Sequence, residues 1–191
     1  MKNRFLRVMV VFFVIAGWMA CFSIRPVEPP SSTASDWVSP TDYLILLSNL
    51  KTAISQRNTQ NYLRCFNADS LQFIPSASLL NDNESIWKGW SIQDEQTYFD
   101  NFVADLSAPS GNSLNLTQTD LQDVTADSLK YVGDYTLHIN HSDTSLTRLL
   151  KGQIQLVIKI NDFNEWEIHR WTDIEIYRDS SWSQLKLTYI Q

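Results

Sequence analysis

The stretch of the chain richest in titratable and aromatic side chains is residues 166–177, WEIHRWTDIEIY. It holds His169 and Asp173, the residue types of a general acid–base pair, because imidazole titrates near neutral pH and a carboxylate can orient its ring. Tyr135 is a third group that such chemistry could use. On a regular strand, however, side chains four positions apart lie about 13 Å apart along the chain. This spacing favours the alternative, in which the two residues belong to an ordinary solvated strand face with cross-strand pairs.

The phase of this strand decides where the candidate pair lies. Strict alternation puts the apolar side chains, Trp166 and Ile168 among them, on the face opposite Asp173. Trp166 and Trp171 cannot share one face of a regular strand, which favours a bulge between Ile168 and Trp171. Such a bulge would put Trp171 and Asp173 in phase with Trp166. Asp173 at a wet pocket mouth would tolerate replacement by Asn, with a change in stability of about half a kcal/mol or less.

Other signatures of chemistry are weak in this sequence. His138 and His141 lack a third ligand at a defined spacing, so no metal is assigned. No Ser lies in a Gly-x-Ser-x-Gly elbow, and no glycine-rich phosphate loop or other cofactor motif occurs. The chain has seven tryptophans, and such residues are more often core than ligand contacts, although a few could line a concave pocket. The candidate pocket residues are Trp87, Trp90, Tyr98, Tyr135, Trp171 and Asp173.

The elements that must position these residues follow from the spacing of apolar side chains. Spacings of three and four predict three helices, at about residues 40–56, 59–66 and 91–106. The first is expected to begin after an N-cap at Ser39, the second at Thr59 and the third at Ser91. Alternating patterns predict four strands, at about residues 114–121, 129–139, 150–160 and from residue 166 onward. The predicted fold class is α+β, with N-terminal helices packed on a strongly curved antiparallel sheet of about four to six strands.

The first twenty residues resemble a bacterial secretory signal. Basic residues precede the apolar run 8–18, which is shorter than the roughly 20 residues of a membrane-spanning helix. Residues 18–21, Trp-Met-Ala-Cys, then resemble the bacterial lipoprotein signal, in which a small residue precedes the lipidated cysteine. The resemblance implies that a signal peptide, residues 1–20, is removed and that Cys21 is the lipid attachment site. The alternatives are an ordinary cleaved signal, an uncleaved anchor extending through Ile24, and a chance cysteine.

The residues after the signal predict how the chain is held at a membrane. Residues 21–40 are rich in Pro and Ser, which indicates a solvated tether leading to a single domain over residues 41–191. Phe22, rather than Asp, follows the cysteine, and by analogy with envelope sorting this favours the outer membrane. The expected location is therefore the cell envelope, on the periplasmic or surface face of a membrane.

Composition excludes several classes of protein. With 43% hydrophobic residues and a net charge of −6, the chain has enough apolar surface to fold. Two cysteines cannot form a disulfide framework, and Cys65, among apolar neighbours, is expected to be a buried, unpaired thiol. The Lys and Arg residues are scattered along the sequence. Nucleic acid and an anionic lipid surface are therefore not expected partners of the domain.

The order of the elements resembles the nuclear-transport-factor-2-like superfamily, which includes ketosteroid-isomerase-like and polyketide-cyclase-like proteins. The resemblance covers about residues 41–177 and rests on the segment 73–75 (FIP) and on Trp-x-Ile-x-x-Trp-x-Asp at 166–173. It implies a cone of curved sheet and helices whose open end holds a pocket, used by some members for acid–base catalysis and by others for binding. The chain also looks like uncharacterised envelope lipoproteins with this domain, including the terminal motif Trp-Ser-x-Leu-Lys at 182–186.

These features predict a membrane-anchored envelope lipoprotein whose cone-shaped domain binds a small hydrophobic ligand or an envelope protein, without catalysis and without a cofactor. The alternative is an enzyme of the isomerase, dehydratase or cyclase type that uses His169 and Asp173 in the cone pocket. A purely structural envelope component is a third hypothesis. The positions of His169 and Asp173 distinguish the first two, because catalysis needs both groups in one pocket.

Overall fold

The computed structural model describes residues 36–106, 111–141 and 147–190. The predictions for the signal peptide, for Cys21 and for most of the tether fall outside these residues. The described residues belong to one compact unit, which begins at Asp36. Within the described ranges, no helix is both long enough and apolar enough to cross a membrane.

Helix α1 (Tyr43–Gln56) is capped by Asp42, whose side chain accepts a hydrogen bond from the backbone N–H of Leu44 at 2.7 Å. The sequence predicts this cap at Ser39, and that prediction is wrong. The hydroxyl of Ser39 donates instead to the carboxylate of Glu165, which is 126 positions away in the sequence. One face of α1 is buried and apolar, consisting of Leu46, Leu47, Leu50, Ala53 and Ile54.

Short elements lead from α1 to the second long helix. They are α2 (Thr59–Leu63), β1 (Gln72–Ile74), α3 (Ala77–Asp82) and α4 (Glu84–Trp87), followed by the long helix α5 (Ile92–Asp105). Asn58, rather than Thr59, caps α2. The start of α5 has the predicted capping box, in which Ser91 and Asp94 each accept a hydrogen bond from the other's backbone N–H.

The four strands predicted by alternation form the sheet. They are β2 (Ser113–Thr125), β3 (Ser128–His138), β4 (Leu149–Ile160) and β5 (Trp166–Glu175). Consecutive strands pair antiparallel, and β1 adds a fifth strand parallel to β5, which gives the order β1-β5-β4-β3-β2. The predicted α+β class, with N-terminal helices on a curved, mostly antiparallel sheet of four to six strands, is confirmed.

The core lies between the helices and the inner face of the sheet. Along β4 the alternate residues Leu150, Ile154, Leu156 and Ile158 are buried. Cys65 is fully buried, as predicted, and its thiol donates to the carbonyl of Asn61 at 3.4 Å. Burial raises the pKa of the Cys65 thiol, which keeps it protonated and unreactive.

A further helix near the C-terminus is not among the elements predicted from the spacing of apolar residues. After a 3-10 turn (Arg178–Ser180), helix α6 (Trp182–Tyr189) packs against α5 and against strands β4 and β5. Ser181 caps this helix, since its hydroxyl accepts from the N–H of Gln184 at 3.1 Å. The buried side chains of α6 recur with helical spacing and are Trp182, Ser183, Leu185, Lys186 and Tyr189.

Candidate functional site

Strand β5 contains the irregularity that the sequence predicts between Ile168 and Trp171. The pairing of β5 with β4 shifts there, which makes His169 an extra residue in β5. Ile168, Trp171 and Asp173 are all buried on the inner face. Trp166, at the start of the strand, is half-buried and packs against the core. The predicted bulge is therefore confirmed.

The same bulge separates the two residues of the candidate acid–base pair. His169 lies on the outer face, where its Nδ1 is 2.8 Å from the hydroxyl oxygen of Ser70. Asp173 lies on the inner face and is only 2% exposed. Because His169 is the extra residue, His169 and Arg170 both lie on the outer face after the inward-facing Ile168, and alternation resumes at the inward-facing Trp171. The structure thus corrects the expectation that His169 and Asp173 could share a pocket.

Helix α6 occupies the interior of the cone, where the family resemblance implies a ligand pocket. Trp182 is 1% exposed, and Ser183 and Lys186 are fully buried. The indole N–H of Trp182 donates to the hydroxyl of Tyr98 at 3.1 Å, and its ring meets the ring of Trp171 edge-on, with centroids 4.5 Å apart. The chain's own C-terminal helix therefore fills this space.

A fully buried ion pair joins α6 to α5. The Nζ of Lys186 lies 2.6 Å from Oε1 and 2.5 Å from Oε2 of Glu95, and both side chains are 0% exposed. The same carboxylate accepts hydrogen bonds from the hydroxyl of Tyr62 at 2.5 Å and from the indole N–H of Trp90 at 2.7 Å. The buried negative charge is therefore met by a cation and two further donors, as a charge removed from water requires.

Aromatic rings surround the ammonium group of Lys186. Its Nζ lies 3.8 Å from the ring centroid of Phe73, 4.4 Å from that of Trp171, and 5.4 Å from those of Trp90 and Tyr98. Ring faces attract a cation, most strongly when it is desolvated. Burial lowers the pKa of Lys186, and the charge of Glu95 opposes that effect. Rings and carboxylate together form a cage for one ammonium group, and the chain's own lysine occupies it.

Asp173 is the second buried acid of the interior. Its Oδ1 accepts from the hydroxyl of Tyr135 at 2.9 Å, and its Oδ2 accepts from the backbone N–H and the hydroxyl of Ser183 at 2.7 and 2.6 Å. Burial raises the pKa of Asp173, and these hydrogen bonds oppose the rise. The expectation of a wet pocket mouth is wrong, because the carboxylate is buried and accepts from the backbone N–H of Ser183 in the first turn of α6, which lacks a partner within the helix.

Gly152 on β4 allows Tyr135 to reach Asp173. A Cβ atom at Gly152 would lie 2.6 Å from the hydroxyl oxygen of Tyr135 and 2.7 Å from the carbonyl oxygen of Ile174. The ring of Tyr135 therefore lies where any side chain at this position would be. The Tyr135 hydroxyl also accepts from the backbone N–H of Trp182 at 2.8 Å, which ties the strand to the start of α6.

Replacement of Asp173 by Asn is expected to lower the free energy of unfolding by about 1–3 kcal/mol. Both carboxylate oxygens accept hydrogen bonds, and an amide offers only one acceptor, so a buried donor loses its partner. Urea denaturation at neutral pH measures the change. Asp134→Asn is the matched control, since Asp134 is exposed on the outer face of β3 and should change stability by about half a kcal/mol or less. Equal stabilities of the two variants would contradict the buried network.

The six candidate pocket residues lie in two places. Around α6 in the interior are Tyr98, Tyr135, Trp171 and Asp173. Trp87 and Trp90 line a surface cleft of about 360 Å³, together with Leu71 and Phe73, and Trp90 also reaches the buried ion pair, where its N–H donates to Glu95. Both indoles are 5% exposed, and the N–H of Trp87 donates to the carbonyl of Leu79 at 3.1 Å. Little of either indole is therefore open to the cleft.

A larger groove of about 570 Å³ adjoins this cleft and shares Ala68, Asp69 and Ile92 with it. We call it the apolar groove, after its apolar lining residues Trp37, Leu63, Phe66, Ile92 and Phe163. Phe163, in the turn between β4 and β5, is 83% exposed. The guanidinium carbon of Arg64 lies 4.1 Å from the ring centroid of Trp37. The volume falls in the range of small-molecule sites.

The histidines near the end of β3 take part in loop hydrogen bonds. The Nδ1 of His138 lies 2.7 Å from the carbonyl oxygen of Gly111, and the Nε2 of His141 lies 3.2 Å from that of Thr147. Within residues 36–106, 111–141 and 147–190, no group of three or more His, Cys, Asp or Glu side chains is placed to hold a metal ion.

Glu95 and Lys186 are the central residues of the interior, and neither is a candidate from the sequence. The sequence nevertheless indicates both residues, because each is a charged residue on the apolar face of a helix. Glu95 stands at helical spacing from Phe99 and Phe102, on the face that the pattern assigns to the core. Lys186 likewise follows Trp182 by four positions. A charge on each of two apolar helix faces indicates a buried pair, because unpaired buried charges are too costly to persist.

No family model matches the sequence, and the search of curated proteins finds no relative. Among solved structures, the chain is similar to a candidate aromatic ring hydroxylase from Novosphingobium aromaticivorans, with 14% identity, a TM-score of 0.55, and 75% of this chain and 93% of that chain covered. A conserved protein from Planctomyces limnophilus matches with 10% identity, a TM-score of 0.54, and coverage of 69% and 91%.

A ketosteroid isomerase-like protein from Erwinia carotovora atroseptica is similar at the same level, with 10% identity, a TM-score of 0.50, and coverage of 69% of this chain and 91% of that chain. At such identities the likeness concerns the fold alone. Together with the curved five-stranded sheet and its helices, it confirms the fold expected from the order of the elements. The chain therefore has the nuclear-transport-factor-2-like fold.

Proposed function

We propose that the chain is a bacterial envelope lipoprotein whose domain binds a ligand or partner and does not catalyse a reaction. The observation that carries this proposal is that α6 fills the cone interior with Trp182 and Lys186. The acids that could move a proton there, Glu95 and Asp173, already accept hydrogen bonds on both carboxylate oxygens. Such groups support the fold and do not face an open site, because Glu95 is 0% and Asp173 2% exposed.

Binding then takes place on the surface, and the apolar groove is the best candidate. It combines apolar walls, an exposed aromatic ring at Phe163, and polar side chains around them that include Arg64 and Glu167. Concave apolar surface with a small number of polar groups is typical of sites for small ligands. The expected occupant is an apolar or aromatic group, carried by a small molecule or by a side chain of a partner protein.

The groove can be tested with the apolar fluorescent probe 8-anilinonaphthalene-1-sulfonate and the purified protein. Phe163→Ala is expected to weaken binding of the probe by about tenfold, because it removes much of one apolar wall. Val124→Ala is the matched control, since Val124 is a similarly exposed apolar residue outside the groove. Equal weakening by both substitutions, or by neither, would contradict the assignment of the groove.

The lipid anchor is tested by Cys21→Ala and cell fractionation. The variant is expected to leave the membrane fraction and to lack the mass of the attached lipid, because the thiol of Cys21 is the proposed attachment point. The proposed location of the wild-type protein is the outer membrane, on its periplasmic or surface face. Unchanged mass and unchanged membrane retention in the variant would remove the lipoprotein proposal.

An isomerase, dehydratase or cyclase remains the second candidate, because Asp173 is an interior acid whose pKa burial raises. Catalysis by Asp173 would require α6 to leave the cone, since Ser183 and Tyr135 occupy both carboxylate oxygens. It would also need a partner other than His169, which lies on the outer face. Binding without chemistry needs neither change, and we therefore favour it.

A further inference from the structure

We propose a second binding site, on the outer face of the sheet, that takes the phosphate group of a soluble phosphate or of a lipid headgroup. We call it the basic cleft. It has a volume of about 180 Å³ and is lined by Ser70, Gln72, Val157, Lys159, His169 and Arg170. This site is independent of the apolar groove and of the cone interior, with which it shares no lining residue.

The β5 bulge builds the basic cleft. His169 is the extra residue of the bulge, and Arg170 pairs with Val157 on β4. Lys159 lies two positions further along β4, on the same outer face. Three basic side chains that are scattered in the sequence are thus gathered at one concavity. Bulges commonly re-aim side chains in this way next to functional sites.

The cations of the basic cleft have no acidic partner in the described parts of the chain. The ion pair that those parts of the chain contain joins Lys186 to Glu95 in the cone interior, and it involves neither Lys159 nor Arg170. Glu167, which pairs with Lys159 across the strands, directs its carboxylate to the amides of Asn67 and Asn161 at 3.0 and 2.6 Å. Positive charge is therefore left for a ligand, on a chain whose net charge is −6.

Hydrogen bonds orient the side chains of the basic cleft. The hydroxyl of Ser70 donates to the side-chain oxygen of Asn67 at 2.7 Å and so accepts from Nδ1–H of His169 at 2.8 Å. Nε2 of His169 is then the nitrogen that takes up a proton and can donate to an anion. The Nε of Arg170 donates to Gln72 at 3.1 Å, which leaves its terminal N–H groups for a planar, two-point contact with phosphate oxygens.

Ligand binding must couple to the charge of His169. The charged groups near His169 are Lys159 on β4 and Glu167 and Arg170 on β5. Burial and the charge of Lys159 lower the pKa of His169, and the charge of Glu167 raises it. A bound anion favours the imidazolium and therefore raises this pKa. By linkage, binding of a phosphate group whose own charge stays constant, such as a phosphodiester, strengthens as pH falls through the titration range of His169 and weakens as pH rises above it.

The test follows the imidazole resonances of His169 by NMR in the full chain, held in a nonionic detergent at constant ionic strength. One arm adds inorganic phosphate in exchange for chloride, and the other adds phosphatidylglycerol to the micelles. Lys159→Gln is expected to weaken phosphate binding by about ten- to a hundredfold, because it removes a charge-assisted hydrogen bond to the phosphate. Lys151→Gln is the matched control, an exposed outer-face lysine of β4 outside the cleft.

A rise in the pKa of His169 with inorganic phosphate, lost in Lys159→Gln and kept in Lys151→Gln, would assign the site to a soluble phosphate. The same pattern with phosphatidylglycerol alone would assign it to a lipid headgroup. His138 and His141 report non-specific effects, because both lie outside the basic cleft. No change of His169 in either arm, or an equal change in Lys159→Gln, would overturn the proposal.

Discussion

Lys186→Ala is expected to lower the free energy of unfolding by about 3–5 kcal/mol, because it leaves the charge of Glu95 buried without its cation. Both side chains are fully buried, so neither can turn to water without opening the core. The loss of the ring contacts around Nζ adds to the effect. Urea denaturation at neutral pH measures the change.

A second substitution shows whether the pair itself is responsible. Glu95→Gln in the Lys186→Met background removes both charges and keeps similar side-chain volumes, so the double variant should be more stable than Lys186→Met alone. Lys151→Ala, at an exposed position, is expected to change stability by about half a kcal/mol or less. If Lys186→Ala is as stable as Lys151→Ala, the side chain of Lys186 does not lie in the core.

Trp182→Ala is expected to cost about 3–5 kcal/mol, since it removes the largest side chain that α6 inserts into the cone. The substitution also breaks the hydrogen bond to Tyr98 and the edge-on contact with Trp171. The space left behind is lined by aromatic and apolar groups, and such cavities bind small apolar molecules. Indole is therefore expected to raise the stability of the variant and not that of the wild type.

Thermal denaturation with and without indole provides the measurement for Trp182. Tyr177→Ala is the matched control, because Tyr177 precedes α6 and is 68% exposed. Its stability is expected to stay within about half a kcal/mol of the wild type and to be insensitive to indole. A Trp182→Ala variant as stable as Tyr177→Ala would contradict the placement of Trp182 inside the cone.

Most of the fold can be predicted from the sequence because its elements carry clear local periods. Alternation of apolar and polar residues predicts strands β2 to β5, and helical spacing predicts α1 and α5. The capping box at Ser91 also predicts where α5 begins. The break in phase between Trp166 and Trp171 is enough to predict a bulge in β5. Each of these features depends on residues that are close together in the sequence, so it can be predicted from one sequence without knowledge of the tertiary structure.

The contents of the cone could not be predicted in the same way. Glu95 and Lys186 are 91 positions apart, and only the folded topology brings them together. A charged residue is expected at the surface unless its partner is known. The family resemblance also implies a ligand pocket, whereas here α6 supplies the side chains that fill it.

The outward turn of His169 shows a related limit. A bulge can be predicted from a break in phase, but which residue becomes the extra one depends on the pairing with β4. A shift of the bulge by one residue would decide whether His169 lies on the same face as Asp173 or in the basic cleft. The same irregularity thus removes the candidate acid–base pair and creates the concavity around Lys159 and Arg170.

Native-state hydrogen exchange of the backbone amides of α6 tests the central claim most directly. If α6 is an integral part of the core, the amides of Ser183 and Trp182, bonded to Asp173 and Tyr135, should exchange as slowly as those of β4, through global unfolding. Fast exchange throughout α6 while β4 stays protected would mean that the helix leaves the cone readily. That result would contradict a filled interior and would favour a pocket that opens for a ligand.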